Sequence, residues 1–411
     1  MRPGVARAAL PITLLVQAAV SAATIAPTVA APRLLAELGL GPVAVGLYIA
    51  LVYAAAMLSS QWGAGWVARF GPIATSQFGL ALCGVGVLLI GVPQVAIAAL
   101  GAVLIGVGYG PITPASSAML ARTTTPHRYA LVFSVKQTGV PLGGALAGLM
   151  IPGVLALVGP RWALAQVTAL CLAGIALAAL IRRDLDQHRS RAAPDAGRAG
   201  FLQPVRFVLG HPVLRTLALC SMVFSAVQLC LGSYVVSYLS ADLGWGLVAA
   251  GLGSAVAQVA GVVGRVIWGV TADRVGSPRG VLLGLALAMT ACGVVLAGVS
   301  PEIRPLWVLA VLAVYGATAI GWNGVFLATV ARRVPLHQAA AATSGSLFFT
   351  YFGVVVGPPL FGLAAGAAGR LGIGYLLLTL PLAWTLWALH RADWRGPGGP
   401  VVSSGPAAAR P

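Results

Sequence analysis

Apolar runs follow one another along almost the whole chain, each about the length of a membrane-crossing helix. A helix rises about 1.5 Å per residue and a bilayer's hydrocarbon core is about 30 Å thick, so a span needs about 20 predominantly apolar residues. Runs of that kind occupy 9–31, 43–66, 73–92, 96–120, 130–151, 161–181, 213–238, 247–270, 280–299, 306–330, 339–366 and 372–390. The pattern predicts twelve spans. The first follows Arg2 and Arg7 as a secretory signal would, but its apolar stretch is too long for one and further spans follow, so it reads as a retained helix. The longest polar stretch, 182–210, has the Arg, Pro, Ala and Gly content of a flexible linker. It divides the chain into a six-helix half over 1–181 and another over 211–391, with a flexible tail over 392–411.

Composition agrees and removes other classes. Hydrophobic residues make up 59% of 411 positions and charged residues 8%, which excludes a soluble domain of this size. The net charge of +17 is spread thinly between apolar segments, so it argues for topology and against nucleic acid. With the N-terminus inside, inner segments carry 19 Lys and Arg and outer segments carry four, Arg33, Arg161, Arg304 and Arg370. The expected placement is therefore a multi-pass protein of a bacterial inner membrane with both termini cytoplasmic. Cys83, Cys171, Cys220, Cys230 and Cys292 all lie in apolar runs without the spacing of a disulfide or zinc framework, and read as packing residues.

A loose internal repeat supports two halves. GAGWVARFGP at the end of span 2 aligns with WGVTADRVGSP at the end of span 8, matching Arg69 to Arg274 at an offset of 205 residues. In the second copy Gly269, Asp273, Arg274, Gly276 and Arg279 form a glycine, three residues, Asp-Arg-x-Gly and a further basic residue. This resembles the signature of the major facilitator superfamily, and the resemblance covers essentially the whole chain. It implies an all-α membrane protein of twelve transmembrane helices in two pseudo-symmetric six-helix bundles, with gating charges at these turns. The acid and arginine are expected to link neighbouring helix ends in one conformation and release them in another. The first copy has Ala68 where the acid belongs, so there Arg69 carries the gating expectation without a partner. The alternative for both arginines is ordinary inside-positive charge. A second resemblance, glycine-rich with Gly-Pro, lies in span 11 (Gly353, Gly357, Pro358, Gly362) and span 5 (Gly139, Pro141, Gly143, Gly144, Gly148). It fits either an exchanger signature or close packing between the halves.

Away from the span ends, only two strongly basic residues, Lys136 and Arg265, fall within spans, and no Asp or Glu does. The eight acids (Glu37, Asp184, Asp186, Asp195, Asp242, Asp273, Glu302 and Asp393) lie in loops, tails or helix ends. A charge at a helix centre costs about 2.5–3.5 kcal/mol on insertion scales, so one that persists has a partner or a watery cavity. With no carboxylate available, a bound anion is the natural partner. Arg265 lies about 12 Å along span 8 from Asp273. GRVIWGVTADR resembles oxalate/formate exchangers, monocarboxylate carriers and nitrate carriers, which place a substrate-binding arginine at this spacing. Nitrate carriers have a second arginine where this chain has Ser60, which disfavours nitrate. Lys136, the only lysine beside 24 arginines, is about 10 Å into span 5, close to the depth of Arg265. The resemblance implies that spans 5 and 8 face each other across a cavity. The competing reading of both cations is snorkelling toward headgroups.

Gln17, Tyr109, Gln137, Gln228 and Asn323 are candidate cavity-lining residues, and equally candidates for interhelical hydrogen bonds. Together these features predict alternating-access transport of a small organic anion, a carboxylate, by a monomer without metal or cofactor. Efflux of neutral or amphipathic compounds is the alternative. No Ser-His-acid set or metal cluster is evident, so an enzyme is not expected.

Overall fold

The computed structural model describes residues 3–41, 43–186 and 200–394. Twelve helices are long and apolar enough to cross a membrane. Helices 1 to 6 are Ala8–Val29, Ala44–Phe70, Pro72–Ile90, Val95–Thr123, Pro126–Val158 and Pro160–Leu185. Helices 7 to 12 are Pro212–Ala241, Ala249–Val275, Pro278–Gly298, Pro305–Arg332, Leu336–Ala368 and Leu371–Arg391. No strand occurs among the described residues. Proline opens many of these helices, where its missing N–H costs nothing. Side chains such as Leu149 (81% exposed) and Leu157 (84% exposed) form the outer apolar face that lipid would cover.

Pairings repeat six helices on. Helix 1 packs on helix 5 as helix 7 does on helix 11, helix 2 on helix 4 as helix 8 on helix 10, and helix 3 on helix 6 as helix 9 on helix 12. The chain is thus two six-helix bundles of one design, as the repeat predicted.

Two polar segments are more ordered than expected. Helix 6 runs on to Leu185, and Gln203–Gly210 is a helix with Pro204, Val205 and Val208 buried. It packs against helix 11, where Gly345 lies on the Pro204 carbonyl, so apolar residues at its turn spacing dock it. Residues 187–199, the most polar part of the expected linker, lie outside the described residues. In the tail, Arg333 donates to the Trp394 carbonyl at 2.7 Å and stacks on its ring, while 395–411 lie outside the described residues.

Four helices are interrupted in mid-span. Helix 4 consists of Val95–Tyr109 and Ile112–Thr123, helix 5 contains Tyr129–Gln137 and Gly139–Val158, helix 10 consists of Pro305–Ala319 and Asn323–Arg332, and helix 12 of Leu371–Leu377 and Thr379–Arg391. Pro111 and Pro114 in helix 4, Pro141 in helix 5 and Pro381 in helix 12 each remove a backbone donor near the break. These breaks also divide the contacts. The segments of helices 4, 5 and 10 nearer the linker reach across to the other half, whereas their remote segments pack chiefly within their own half. Helices 2 and 11 form the second seam, where Gln61 donates to the Ser344 carbonyl at 3.0 Å. The bundles are therefore closed on the linker side and part on the opposite side.

Close approach within a half requires bare backbone. Gly316 of helix 10 lies directly on the Ala257 carbonyl of helix 8, with no room for a β-carbon. Gly366 has nothing within contact range of such an atom. Gly316→Val should lower the stability of detergent-solubilised protein by about 1–3 kcal/mol, the usual range for overpacking. Gly366→Ala should leave the thermal melt unchanged or slightly raised, and equal effects of both would contradict this packing.

Candidate functional site

Pro141 lies four residues after Gln137, so it cannot supply the N–H that would bond the Gln137 carbonyl. A guanidinium N–H of Arg265 takes that carbonyl instead. Arg265 Nε also donates to the Ile320 carbonyl at 3.0 Å, in the interruption of helix 10. One arginine of the second half thereby ties together helices 5, 8 and 10, and it is 2% exposed.

Lys136 is 1% exposed and turns the other way, into its own half. Its Nζ donates to Gln17 Oε1 at 2.7 Å on helix 1 and to Gln137 Oε1 at 3.0 Å. Thr113 Oγ1 of helix 4 lies at 3.5 Å. Gln17 in turn donates to Ser21 Oγ at 3.3 Å, and Tyr109 lies one turn before Thr113 on helix 4. Lys136, Gln137, Gln17, Tyr109 and Arg265 therefore form one cluster, with Gln137 joined to both cations. Neither cation forms an ion pair with a carboxylate among the described residues. Snorkelling does not describe either one, since both are enclosed and held by fixed oxygens.

Gln228 and Asn323 stand apart. Asn323 Nδ2 and Trp322 Nε1 donate to Gln228 Oε1 at 3.0 and 3.1 Å, which binds helix 7 to helix 10 inside the second half. Among the described residues no hydrogen bond joins this pair to the cations.

The turn after helix 8 links neighbouring helix ends through Asp273, with Arg332 and not Arg274 as the arginine involved. Gly276 takes φ +65°, a left-handed conformation that ends helix 8 and leaves Asp273 near its terminus. Asp273 accepts from the backbone N–H groups of Ala130 (3.1 Å) and Leu131 (2.7 Å) at the start of helix 5. Its ionic partner is Arg332 at the end of helix 10, at 2.6 Å. Arg332 also donates to the Pro126 carbonyl at 2.7 Å and stacks on Tyr129 at 5.8 Å. A carboxylate at a helix N-terminus, shared with an arginine, makes strong charge-assisted bonds. Gly269, one turn earlier, has Ser134 where a β-carbon would go, at 2.7 Å, so helices 5 and 8 touch here.

Among the described residues, Arg274, Arg279 and Arg69 make no hydrogen bond between the halves. Arg274 is exposed, and Arg279 donates to the carbonyls of Leu389 (3.0 Å from Nε) and His390, capping the end of helix 12 within the second half. Arg69 is exposed and lies over the Phe70 ring at 5.3 Å. Near the missing first-half acid, Asp186 from the end of helix 6 accepts from Ile73 and Ala74 N–H, both at 3.0 Å, and so caps helix 3.

Arg332, Thr113 and Ser21 escaped the sequence reading. Arg332 reads as topological charge until helix 10 is set beside helix 8. Thr113 and Ser21 are small hydroxyls of a kind common in membrane helices. The position of Pro141 four residues after Gln137 was a usable signal for the freed carbonyl.

Two bundles closed around a buried polar seam define a membrane transporter of the secondary type. The Major Facilitator Superfamily model matches residues 13–358, and the chain belongs to that family. It is 29% identical over 313 residues to the multidrug efflux pump Tap of Mycolicibacterium fortuitum, covering 72% of each chain. Among solved structures it resembles the human organic anion transporter MFSD10 (TETRAN), with TM-score 0.73 and 12% identity over 95% of this chain and 100% of that one. A bacterial homologue of the iron transporter ferroportin in its outward-facing state gives TM-score 0.73 and 16% identity over 94% and 98%. At these identities the structural matches establish the fold alone.

Removing the Asp273 carboxylate should loosen the linker side, because a charge-assisted bond is worth about 1.5–3 kcal/mol. Spin labels at His127 and Leu336, on the two halves, should show a longer and broader distance distribution in Asp273→Ala and in Arg332→Ala. Arg274→Ala should match the parent. A change in Arg274→Ala equal to that in Asp273→Ala would contradict the assignment of this link to Asp273 and Arg332.

Proposed function

We propose that the protein is a secondary active transporter of a small organic anion, a carboxylate, working as a monomer by alternating access. The observation that carries this reading is the buried pair Lys136 and Arg265. They come from opposite halves, meet on Gln137, and are held by neutral oxygens only. Charges in such surroundings are under-neutralised, and a carboxylate supplies two charged acceptors in place of amide and backbone oxygens. The Gln137 carbonyl and an incoming anion compete for the same guanidinium. Binding would then weaken the Arg265 tie between helices 5 and 8, leaving the bonds of Asp273 and Arg332 to the start of helix 5 as the main restraint on opening. The positive-inside bias supports a bacterial inner-membrane placement with the linker and both termini cytoplasmic. On that placement the described conformation faces outward.

A second reading is efflux of neutral or amphipathic compounds, with the two cations serving only to lock the halves. It is favoured by the likeness to the Tap pump. It is also favoured by an apolar surface groove of about 390 Å³ among helices 7, 11 and 12, lined by residues such as Met222, Val356 and the exposed Leu360 and Leu377.

Counterflow in proteoliposomes separates the two. A panel of mono- and dicarboxylates should contain at least one that exchanges, and Lys136→Ala and Arg265→Ala should each cut its exchange by about tenfold or more, the effect of losing one charged contact. Carboxylate exchange that survives both substitutions would remove the anion site. Export of neutral compounds with no carboxylate exchange would establish the second reading.

A further inference from the structure

Beside the cations lies a box of three tyrosines drawn from both halves. Tyr53 of helix 2, Tyr109 of helix 4 and Tyr351 of helix 11 have ring centroids 6.1, 6.0 and 6.2 Å apart, with interplanar angles of 77°, 44° and 59°. Tyr351 is a second-half residue packed into the first-half core, and it is 5% exposed. Tyr109 joins the box to the charges: it lies one helical turn before Thr113, whose hydroxyl is 3.5 Å from the Lys136 ammonium. Among the described residues the hydroxyls of Tyr53 and Tyr351 make no hydrogen bond, yet they are not sealed in the core as those of Tyr315 and Tyr375 are. Tilted and edge-on contacts at these separations are favourable aromatic geometries, so the three rings form one wall drawn from both halves.

We propose that the site selects a monocarboxylate with a flat aromatic body, and that Tyr53, Tyr109 and Tyr351 are its specificity-determining residues. This rests on the anion reading above. One carboxylate has two oxygens, one for the Lys136 ammonium and one for the Arg265 guanidinium. The wall next to that head is aromatic. Lys136 and Arg265 are the only Lys or Arg among the buried residues described, so the far carboxylate of a long dianion would meet rings and not a charge. A ring with a hydroxyl would also find the two unpartnered tyrosine hydroxyls.

The test uses the full-length protein in proteoliposomes, with benzoate counterflow and acetate, oxalate, succinate, phenylacetate and 4-hydroxybenzoate as competitors. The aromatic acids should compete at concentrations about tenfold below acetate, oxalate and succinate, the factor expected from one or two ring contacts. Tyr351→Leu should raise the concentration of benzoate needed by about tenfold while leaving acetate unchanged, and Tyr351→Phe should retain most of the preference for benzoate. Tyr53→Leu serves as the second variant if Tyr351→Leu fails to fold, judged by gel filtration and thermal melting. Acetate or oxalate competing as well as benzoate, with exchange still lost in Lys136→Ala, would overturn the aromatic inference and leave the anion reading standing. Exchange of no carboxylate at all would overturn the anion reading and this inference with it.

Discussion

Two enclosed cations, neither ion-paired with a carboxylate among the described residues, impose a condition that much of the interior meets: they must find oxygen. In a soluble protein water would answer it, but in a bundle of apolar helices the backbone carbonyls are already engaged. Interruptions release some of them. Pro141 withdraws one donor from helix 5, and Gln137 can then accept from Arg265; the break in helix 10 offers Ile320 for the same side chain. Lys136 draws on amide and hydroxyl oxygens of helices 1, 4 and 5. Helix irregularity and buried charge are therefore one feature, and they coincide where the two halves meet.

The same halves are joined a second time nearer the linker, by Asp273, Arg332 and the start of helix 5. Here the acid serves two purposes, neutralising an arginine and capping a helix that belongs to the other bundle. The pseudo-symmetric site near Ala68 has no such acid, and Asp186 caps helix 3 within its own half. Two bundles of like design are thus held by an unlike pair of seams. The seam of helices 5, 8 and 10 is charged, while that of helices 2 and 11 rests on Gln61, small residues and the tyrosine box. Rocking of one bundle on the other would break the charged bonds on one seam and mostly van der Waals contacts on the other.

Family membership and substrate stand on different ground. The family rests on a match across 13–358 and on paired helix contacts that recur in each half. Substrate choice rests on a few side chains, and relatives of this fold carry the names of an efflux pump and an organic anion transporter. Lys136, Arg265 and the tyrosines are the residues proposed here to make that choice.

Twelve spans, their order and the division into two halves were legible in the sequence, because lipid demands about 20 apolar residues per crossing and leaves little latitude. Lys136 and Arg265 were legible for the same reason, since a charge stands out against an apolar run. Partners were not. Arg332 belongs to Asp273, 59 residues away, and Tyr351 belongs to Tyr53 and Tyr109, and nothing local in the chain links them. Arg274 and Arg279 sit in the family motif, yet one faces outward and the other caps helix 12, because the rotation of a helix about its axis is set by the neighbours it packs against. Which residues are charged or apolar is a property of the chain, whereas which of them meet is decided only when the bundles close.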